Sequence, residues 1–222
     1  MTDLKNKIKS EAQVKSKKRV SDHGEVFTNE REVNAMLDLV KHETERIDSK
    51  FLEPACGNGN FLAEVLRRKL QVVGQRYANS QVEWEKNALI AVSSIYGVEI
   101  LEDNAMECRD RLFLQVQKAC FDAFGVNAKM EFLNSIRFII ERNILWGDAL
   151  DFTHPVTKKP IVFSEWSFAV DNMVKRRDYI FKFLVEQSHQ FTLDFNDEGQ
   201  PAAIDEPIRD FPLVHYLKIG HK

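Results

Sequence analysis

The chain has 222 residues, a formal net charge of −3 and 44% hydrophobic residues, enough for one domain with a real core. No stretch approaches the roughly 18 consecutive apolar residues of a membrane span, and the N-terminal residues are too polar for a secretion signal, so we expect a cytoplasmic protein. The three cysteines form no Cys-x-x-Cys pair and no cluster with histidine, which argues against a disulfide framework and against a metal site.

Hydrophobic periodicity predicts alternating helices and strands along the first two thirds of the chain. The predicted elements are, in chain order, helix 29–46, strand 51–52, helix 60–77, helix 81–94, strand 95–100, helices 102–124 and 128–141, and strand 143–146. Beyond these, the pattern predicts a short strand at 161–163, a helix at 176–187 and otherwise irregular chain. Such alternation is typical of an α/β fold with a mostly parallel sheet and helices on both faces.

The charges are distributed unevenly along the chain. Residues 1–20 form a basic arm and a second basic cluster follows at 175–177, whereas the stretch from 186 to 210 is mostly acidic. Basic clusters are most often solvated surface, and some contact phosphates. Contact between the basic arm and DNA phosphates is a hypothesis that the salt dependence of DNA binding would test.

An apolar run, a carboxylate and a glycine-bearing turn lie just ahead of the helix predicted at 60–77. Gly57 and Gly59 lack a Cβ, so the backbone can turn sharply and a ligand can lie against it, while the helix start offers unpaired N–H groups. The third glycine of a dinucleotide loop would fall at Leu62 and is missing. The pattern predicts a nucleotide-cofactor loop with these contact residues: Glu53, Pro54, Ala55, Cys56, Gly57, Asn58, Gly59 and Phe61.

Two further carboxylates follow the next predicted strands. Glu99 lies in Tyr-Gly-Val-Glu-Ile and Asp148 in Leu-Trp-Gly-Asp-Ala-Leu, with Ile100 and Ala149 directly after them. Ligands of open α/β sheets bind at the carboxyl ends of the strands. The first acid can accept both ribose hydroxyls and the second can accept from an exocyclic amine. Each acid alone is equally well explained as a surface residue or a helix cap, but together they indicate an adenosyl ligand.

The string Glu-Pro-Ala-Cys-Gly-x-Gly-x-Phe over 53–61 resembles the S-adenosylmethionine-binding loop of adenine-specific DNA methyltransferases of restriction-modification systems. Upstream, His-Gly-Glu-Val-Phe-Thr over 23–28 resembles the motif that closes over the methionine portion of the cofactor in members whose cofactor half comes first. The resemblance covers roughly residues 20–150. One departure is that Glu99 follows Gly59 at far more than the roughly 20 residues usual for the acidic partner of a glycine loop. The extra helix at 81–94 fills that gap.

The resemblance implies a Rossmann-like class I methyltransferase fold, S-adenosylmethionine as cofactor and DNA as partner. It implies that Phe27 and Thr28 lie near the cofactor, that Glu53 and Gly57 lie at its amino-acid end, and that Glu99 and Asp148 lie at its ribose and adenine. The implied organisation is a basic arm over 1–20, a cofactor-binding domain over 21–166 and a C-terminal extension over 167–222.

The catalytic element of the family is missing in recognisable form. Its members extrude the target base and hold it with Asn/Asp/Ser-Pro-Pro-aromatic, whereas this chain has no Pro-Pro. The best substitute is Ser164, Glu165 and Trp166, which would accept the amine, act as a base and stack on the adenine. The alternative is that this segment is an ordinary strand ending in an aromatic residue.

Three functions therefore stay open. The first is an S-adenosylmethionine-dependent DNA adenine-N6 methyltransferase, either compact or half of a split enzyme whose partner subunit brings the catalytic loop and the target reader. The second is a catalytically inactive, methyltransferase-like binding subunit of a restriction or defence complex. The third function is methylation of RNA or protein, which is disfavoured because the sequence of the loop is most similar to that of DNA methyltransferases.

Overall fold

The computed structural model describes residues 15–190 and 206–220 of the chain. The basic arm therefore lies outside the described residues up to position 14, as does most of the acidic stretch that follows residue 190. No helix in the described ranges is long and apolar enough to cross a membrane.

A three-stranded parallel sheet forms the centre of the fold. Its strands are β1 (Phe51–Glu53), β2 (Ile95–Glu99) and β3 (Ile144–Trp146), in the spatial order β1-β2-β3. Glu53 pairs with Gly97 and Glu99 pairs with Trp146, so the carboxyl ends of the three strands are adjacent. The strands predicted at 51–52, 95–100 and 143–146 are thereby confirmed.

Four long helices cover one face of this sheet. They are α4 (Asn60–Tyr77), α5 (Gln81–Ser93), α6 (Glu102–Phe124) and α7 (Met130–Asn143), close to the predicted ranges. Their apolar sides join Ile95 and Ile144 in one large buried cluster. Because strand side chains alternate between faces, these two positions mark the helix-covered face.

In the part of the chain described from residue 15 onwards, three short helices precede this core. They are α1 (Lys17–His23), α2 (Glu30–Asp38) and α3 (Lys41–Thr44), so the single helix predicted at 29–46 is divided in two. Asn29 begins α2 by accepting the backbone N–H of Glu32 at 3.0 Å. Val33 and Leu37 bury the inner side of α2 against the large cluster.

A second sheet, antiparallel, follows β3. It contains β4 (Val162–Phe168), β5 (Met173–Ile180), β6 (Arg209–Asp210) and β7 (Val214–His215), with helix α8 (Phe181–Gln190) directly after β5. Val98 on the other face of the parallel sheet packs with Ile161, Phe163 and Phe181 of this region. The α/β class is confirmed, but helices do not flank both faces in the predicted manner, because the second face meets this antiparallel unit.

The predicted helix at 176–187 is wrong over its first half, which is strand β5. The basic cluster Lys175, Arg176 and Arg177, of a kind that is most often solvated surface, lies in this strand. In the sheet, Arg176 instead donates two hydrogen bonds to Asp178 on the same side of the strand, at 2.7 and 2.8 Å. This pairing satisfies both charges at a position where sequence alone suggested solvent.

The C-terminal residues pack against the helical body. Tyr216 is buried and its hydroxyl donates to the carboxylate of Glu85 at 2.6 Å, and Lys129 donates to the same carboxylate at 2.7 Å. Gly220 lies against the backbone of Asn134 so closely that an added Cβ would be 2.7 Å from its carbonyl oxygen. The predicted domain boundary at 166 falls inside β4.

Candidate functional site

The glycine loop connects the end of β1 to the start of α4. Gly57 and Gly59 both have positive φ angles, +53° and +85°, in the region that favours glycine. A Cβ on Gly59 would lie only 2.6 Å from the Sγ of Cys108 on α6. The loop is anchored to β2 through the backbone N–H of Cys56, which donates to the Val98 carbonyl at 3.0 Å. Both the backbone conformation and the packing therefore require glycine at position 59.

A pocket of about 170 Å³ opens beside this loop. Most of the residues that line it were predicted from the sequence as cofactor contacts: Phe27, Thr28, Glu53, Ala55, Cys56, Asn58 and Phe61. The lining is completed by three residues that were not predicted, Val26, Met36 and Asn60. The upstream segment is tied to the loop because Asn60 donates to the carbonyl of Thr28 at 2.9 Å. The structure thus brings the two separate motifs together in one cavity.

Glu53 provides the chemical feature of this pocket. Its side chain is half-buried, and no hydrogen bond or ion pair within the described chain engages its carboxylate. Burial raises its pKa above the usual value for glutamate. A carboxylate that is partly desolvated and has no partner is well suited to a cationic ligand group.

Glu99 does not line the pocket and holds the loop instead. Its side chain is buried, one oxygen accepts the backbone N–H of Gly57 at 2.8 Å, and the other accepts that of Leu101 at 2.9 Å. Ile100, directly after it, is largely exposed, and its carbonyl accepts from the indole of Trp146 at 3.0 Å. Each carboxylate oxygen retains a second lone pair for a further donor.

Asp148 lies at the carboxyl end of β3 and caps a turn. One of its oxygens accepts the backbone N–H groups of Leu150 at 2.9 Å and Asp151 at 3.3 Å. Ala149 packs against the small cluster on the second face of the sheet. The three predicted acids therefore end three adjacent strands, but only Glu53 faces the pocket.

Ion pairs hold the upstream segment against α6. Arg19 contacts Asp103 and Glu25, each at 2.6 Å, and Lys15 contacts Glu107 at 2.5 Å and Asp103 at 3.3 Å. Hydrogen bonds from Arg19 are the main reason that the pKa of Asp103 is lowered to about 2. Lys15 and Arg19, which belong to the predicted basic arm, are thus engaged within the chain.

This latch, made of Lys15, Arg19, Glu25, Asp103 and Glu107, was missed from sequence. It adjoins Phe27, whose ring centre is 5.9 Å from the Lys15 ammonium and whose ring would lie 3.3 Å from a Cβ added to Gly57. The only sequence feature that pointed to this cluster was the presence of Asp103 and Glu107 in the first two turns of α6. Acidic residues near a helix N-terminus are equally well explained by the helix dipole.

The cysteines of the site are poor nucleophiles. Cys56 and Cys108 are buried, and all three cysteines are free thiols. A hydrogen bond with Cys108 and burial raise the pKa of Cys56 far above its usual value. The raised pKa keeps the Cys56 thiol protonated, and both buried side chains act as packing residues around the loop. No group of three or more His, Cys, Asp or Glu side chains able to hold a metal occurs in the ranges described.

The segment nominated for catalysis lies at the other end of the parallel sheet. The indole of Trp166 donates to Asn143, directly before β3, at 3.0 Å, and Glu165 pairs with Lys50, directly before β1, at 2.9 Å. Ser164 is buried and donates to Asp178 at 2.8 Å. These contacts are at the amino ends of the strands, whereas the glycine loop follows a carboxyl end. Ser164, Glu165 and Trp166 are not brought together with the pocket.

Comparison with known proteins gives no match to this chain, whether with family models, with curated proteins or with solved structures.

Proposed function

We propose that the chain is the S-adenosylmethionine-binding part of a DNA adenine-N6 methyltransferase of the restriction-modification type, with a Rossmann-like methyltransferase fold. The observation that carries this proposal is the pocket in which Phe27, Thr28, Glu53 and the glycine loop meet. Two sequence motifs separated along the chain converge there, and the order of the strands brings Glu53, Glu99 and Asp148 to one edge of the sheet.

The residues present fit the amino-acid end of the cofactor. The Glu53 carboxylate would accept a hydrogen bond from the ammonium group of the cofactor. Within the described chain this carboxylate has no charged partner, so the ammonium would provide one. Phe27 and Phe61 provide apolar walls for the methionine chain. The pocket, at about 170 Å³, is smaller than the roughly 300–1,000 Å³ of complete small-molecule sites. The adenosine part would therefore lie outside it, towards Ile100 and Asp148.

S-adenosylmethionine, when bound, supplies a methyl group on a sulfonium that needs no metal and no covalent enzyme nucleophile. The contribution of this chain is to bind and orient the cofactor. Glu99 fixes the loop through Gly57, and the latch keeps Phe27 over it. Direct transfer to an extruded adenine needs in addition a group that holds the base and its amine.

A partner subunit would supply the base-holding loop and the target reader. This part of the proposal is supported by the absence of Pro-Pro from the sequence and by the position of Ser164, Glu165 and Trp166 away from the pocket. The same two observations favour the second candidate, a catalytically inactive binding subunit of a restriction or defence complex. The two candidates differ in whether any methyl transfer occurs when the partner is present.

Transfer of a labelled methyl group from S-adenosylmethionine to unmethylated DNA, followed by digestion to nucleosides, tests the proposal. Labelled N6-methyladenine formed by the chain alone would establish a complete enzyme and contradict the need for a partner. Cofactor binding without transfer is the expected result for the isolated chain. Absence of both binding and transfer by a folded preparation would overturn the proposal.

Trp166→Phe examines the substitute catalytic segment in any preparation that transfers methyl groups. We expect it to lower stability by about 1–3 kcal/mol, since it leaves Asn143 without its indole partner, and to leave the rate constant of transfer unchanged. A large fall in that rate constant with unchanged stability and cofactor affinity would restore Trp166 as a catalytic residue.

A further inference from the structure

Three arginines and two phenylalanines form an alternating stack between α7 and the antiparallel sheet. The guanidinium carbon of Arg142 lies 3.3 Å from the ring centre of Phe138, and that of Arg176 lies 5.8 Å from the same ring. Arg176 is also 4.2 Å from the ring centre of Phe211, which Arg209 approaches at 5.6 Å. We call this order, Arg142–Phe138–Arg176–Phe211–Arg209, the arginine ladder.

Positive charge exceeds negative charge in the ladder. Asp178 neutralises Arg176 through two hydrogen bonds. Within the described ranges, neither Arg142 nor Arg209 forms an ion pair with a carboxylate. Burial and the charge of Arg176 lower the pKa of Arg142, and the nearby carboxylates Glu141 and Asp178 only partly oppose them. An anionic ligand would relieve this repulsion.

The geometry suits a nucleic-acid strand in particular. Stacking on phenylalanine rings fixes the planar guanidinium forks, which can then bind phosphate oxygens in pairs without losing much side-chain entropy. Arg209 is exposed and Phe211 is half-buried, so both a cation and a ring edge are accessible. Unpaired bases stack on aromatic rings and on arginine planes, whereas bases within a duplex do not expose their faces.

We propose that the arginine ladder binds single-stranded DNA, with phosphates at Arg142 and Arg209 and a base stacked on the exposed guanidinium plane of Arg209, which Phe211 supports. The ladder is remote from the cofactor pocket, because Arg142 precedes Asn143, whose amide donates to carbonyls at the amino end of β2, at 3.1 and 3.2 Å. Binding there does not require the proposed cofactor or its chemistry. It would hold a displaced strand away from the reactive edge of the sheet.

The test measures binding of a fluorescein-labelled oligothymidine strand of about 20 nucleotides to the full chain by anisotropy, at several salt concentrations. Replacing both cations, Arg142→Gln with Arg209→Gln, should weaken binding about tenfold and reduce the slope of log affinity against log salt by about 1.4, since each lost phosphate contact removes about 0.7. Phe211→Leu should weaken binding to the single strand and leave the salt slope unchanged.

A matched control removes two cations elsewhere, Lys41→Gln with Lys118→Gln, both exposed members of helical ion pairs. An equal loss in the control would indicate an effect of net charge only and would overturn the proposal. So would duplex DNA binding as tightly as the single strand, or no binding by the wild type. Arg209→Gln alone, at an exposed position, keeps the test valid if the double variant fails to fold.

The cofactor serves as a separate readout. S-adenosylmethionine affinity should be the same in the ladder variants and the wild type. Absence of single-strand binding by the wild type, with cofactor binding intact, would refute the ladder alone. Absence of cofactor binding with ladder-dependent DNA binding would refute the proposed function alone.

Discussion

The carboxylate of Glu99 accepts the backbone N–H of Gly57 at 2.8 Å, while its second oxygen accepts that of Leu101 at 2.9 Å. One buried side chain therefore connects the loop after β1 with the start of α6 after β2. Because the acceptor is charged, these hydrogen bonds are roughly twice as strong as neutral ones. The loop conformation depends on Glu99 before any ligand binds.

Replacement of Glu99 by glutamine should lower the free energy of unfolding by about 1–3 kcal/mol, because an amide offers one acceptor oxygen and leaves one backbone N–H unpaired. Urea unfolding measures this change. The control is Glu102→Gln, at an exposed site in the first turn of α6. Its free energy of unfolding should stay within about 0.5 kcal/mol of that of the wild type. Equal stability of Glu99→Gln and wild type would contradict the connection.

Gly59→Ala should destabilise the protein by at least about 1–3 kcal/mol and abolish cofactor binding. The φ of +85° is strained for alanine, and its Cβ would press on the Sγ of Cys108. Gly74→Ala inside α4 meets nothing within 4 Å and should instead stabilise by about 0.4–1 kcal/mol. Thermal unfolding of the two variants should therefore shift in opposite directions, and a shift in the same direction would refute the packing argument.

The fold could be predicted from sequence wherever local pattern and packing agree. The glycine turn, the helices around it and the three parallel strands all carry their own periodicity, so their positions were right. Strand β5 was missed because its basic side chains are compensated by Asp178 within the strand and by Asp210 of β6, which is adjacent in the sheet but far away in sequence. Pairings of this kind are formed only by the folded chain.

The site was predictable to a similar extent. The turn after Glu53 could be located because glycine spacing indicates backbone conformation directly, and Gly57 and Gly59 do have positive φ angles. Glu99 was placed at the correct strand end, but its bond to Gly57 was not foreseen. The contact of Arg19 with Asp103 joins positions 84 residues apart, and no local pattern encodes such a pair.

Substitution of Asp103 by asparagine should release the upstream segment. Asp103 is the shared partner of Lys15 and Arg19, so its loss leaves both cations without their common acid. We expect faster cleavage by trypsin around residues 15–19 and weaker cofactor binding, because Phe27 would lose its position over Gly57. Asp110→Asn on the same helix, whose acid pairs with Arg137 at 3.5 Å, is the matched control and should leave the cleavage rate unchanged.

Acid should have the same effect on the latch only at very low pH. The folded pKa of Asp103 is lowered to about 2, below its ordinary value, so its ionised contact is fully present above that ordinary range and is lost as the pH falls through about 2. Release of the segment near neutral pH, observed by hydrogen exchange of its amides, would contradict this assignment.

Lys69 should make stability rise with pH in the alkaline range. Its side-chain nitrogen is fully buried and donates to the carbonyls of Ile47 and Ser49 and to the hydroxyl of Ser94. Burial lowers its pKa to about 7, so between pH 7 and its ordinary value of 10.5 the unfolded chain binds a proton that the folded chain does not. The free energy of unfolding therefore gains a rising contribution across that window.

Lys69→Met should remove this contribution and destabilise the protein by about 1–3 kcal/mol through the acceptors left unpaired. Urea unfolding of both proteins across the window gives the difference directly. Lys86→Met, which removes a cation paired with Glu83 on a more exposed helix side, should run parallel to the wild type. Parallel curves for Lys69→Met and wild type would show that Lys69 keeps an ordinary pKa.

Calorimetric titration of S-adenosylmethionine into the full chain, for wild type and Glu53→Gln, is the most direct test of the proposed site. We predict one bound cofactor for the wild type, with affinity that falls as Glu53 becomes protonated below its raised pKa. Glu53→Gln should bind about 10–100-fold more weakly, the loss expected for one charged hydrogen bond, and should melt at the same or a higher temperature because the buried charge is gone. No binding by the folded wild type, or equal binding by Glu53→Gln, would contradict the assignment of this pocket to the cofactor.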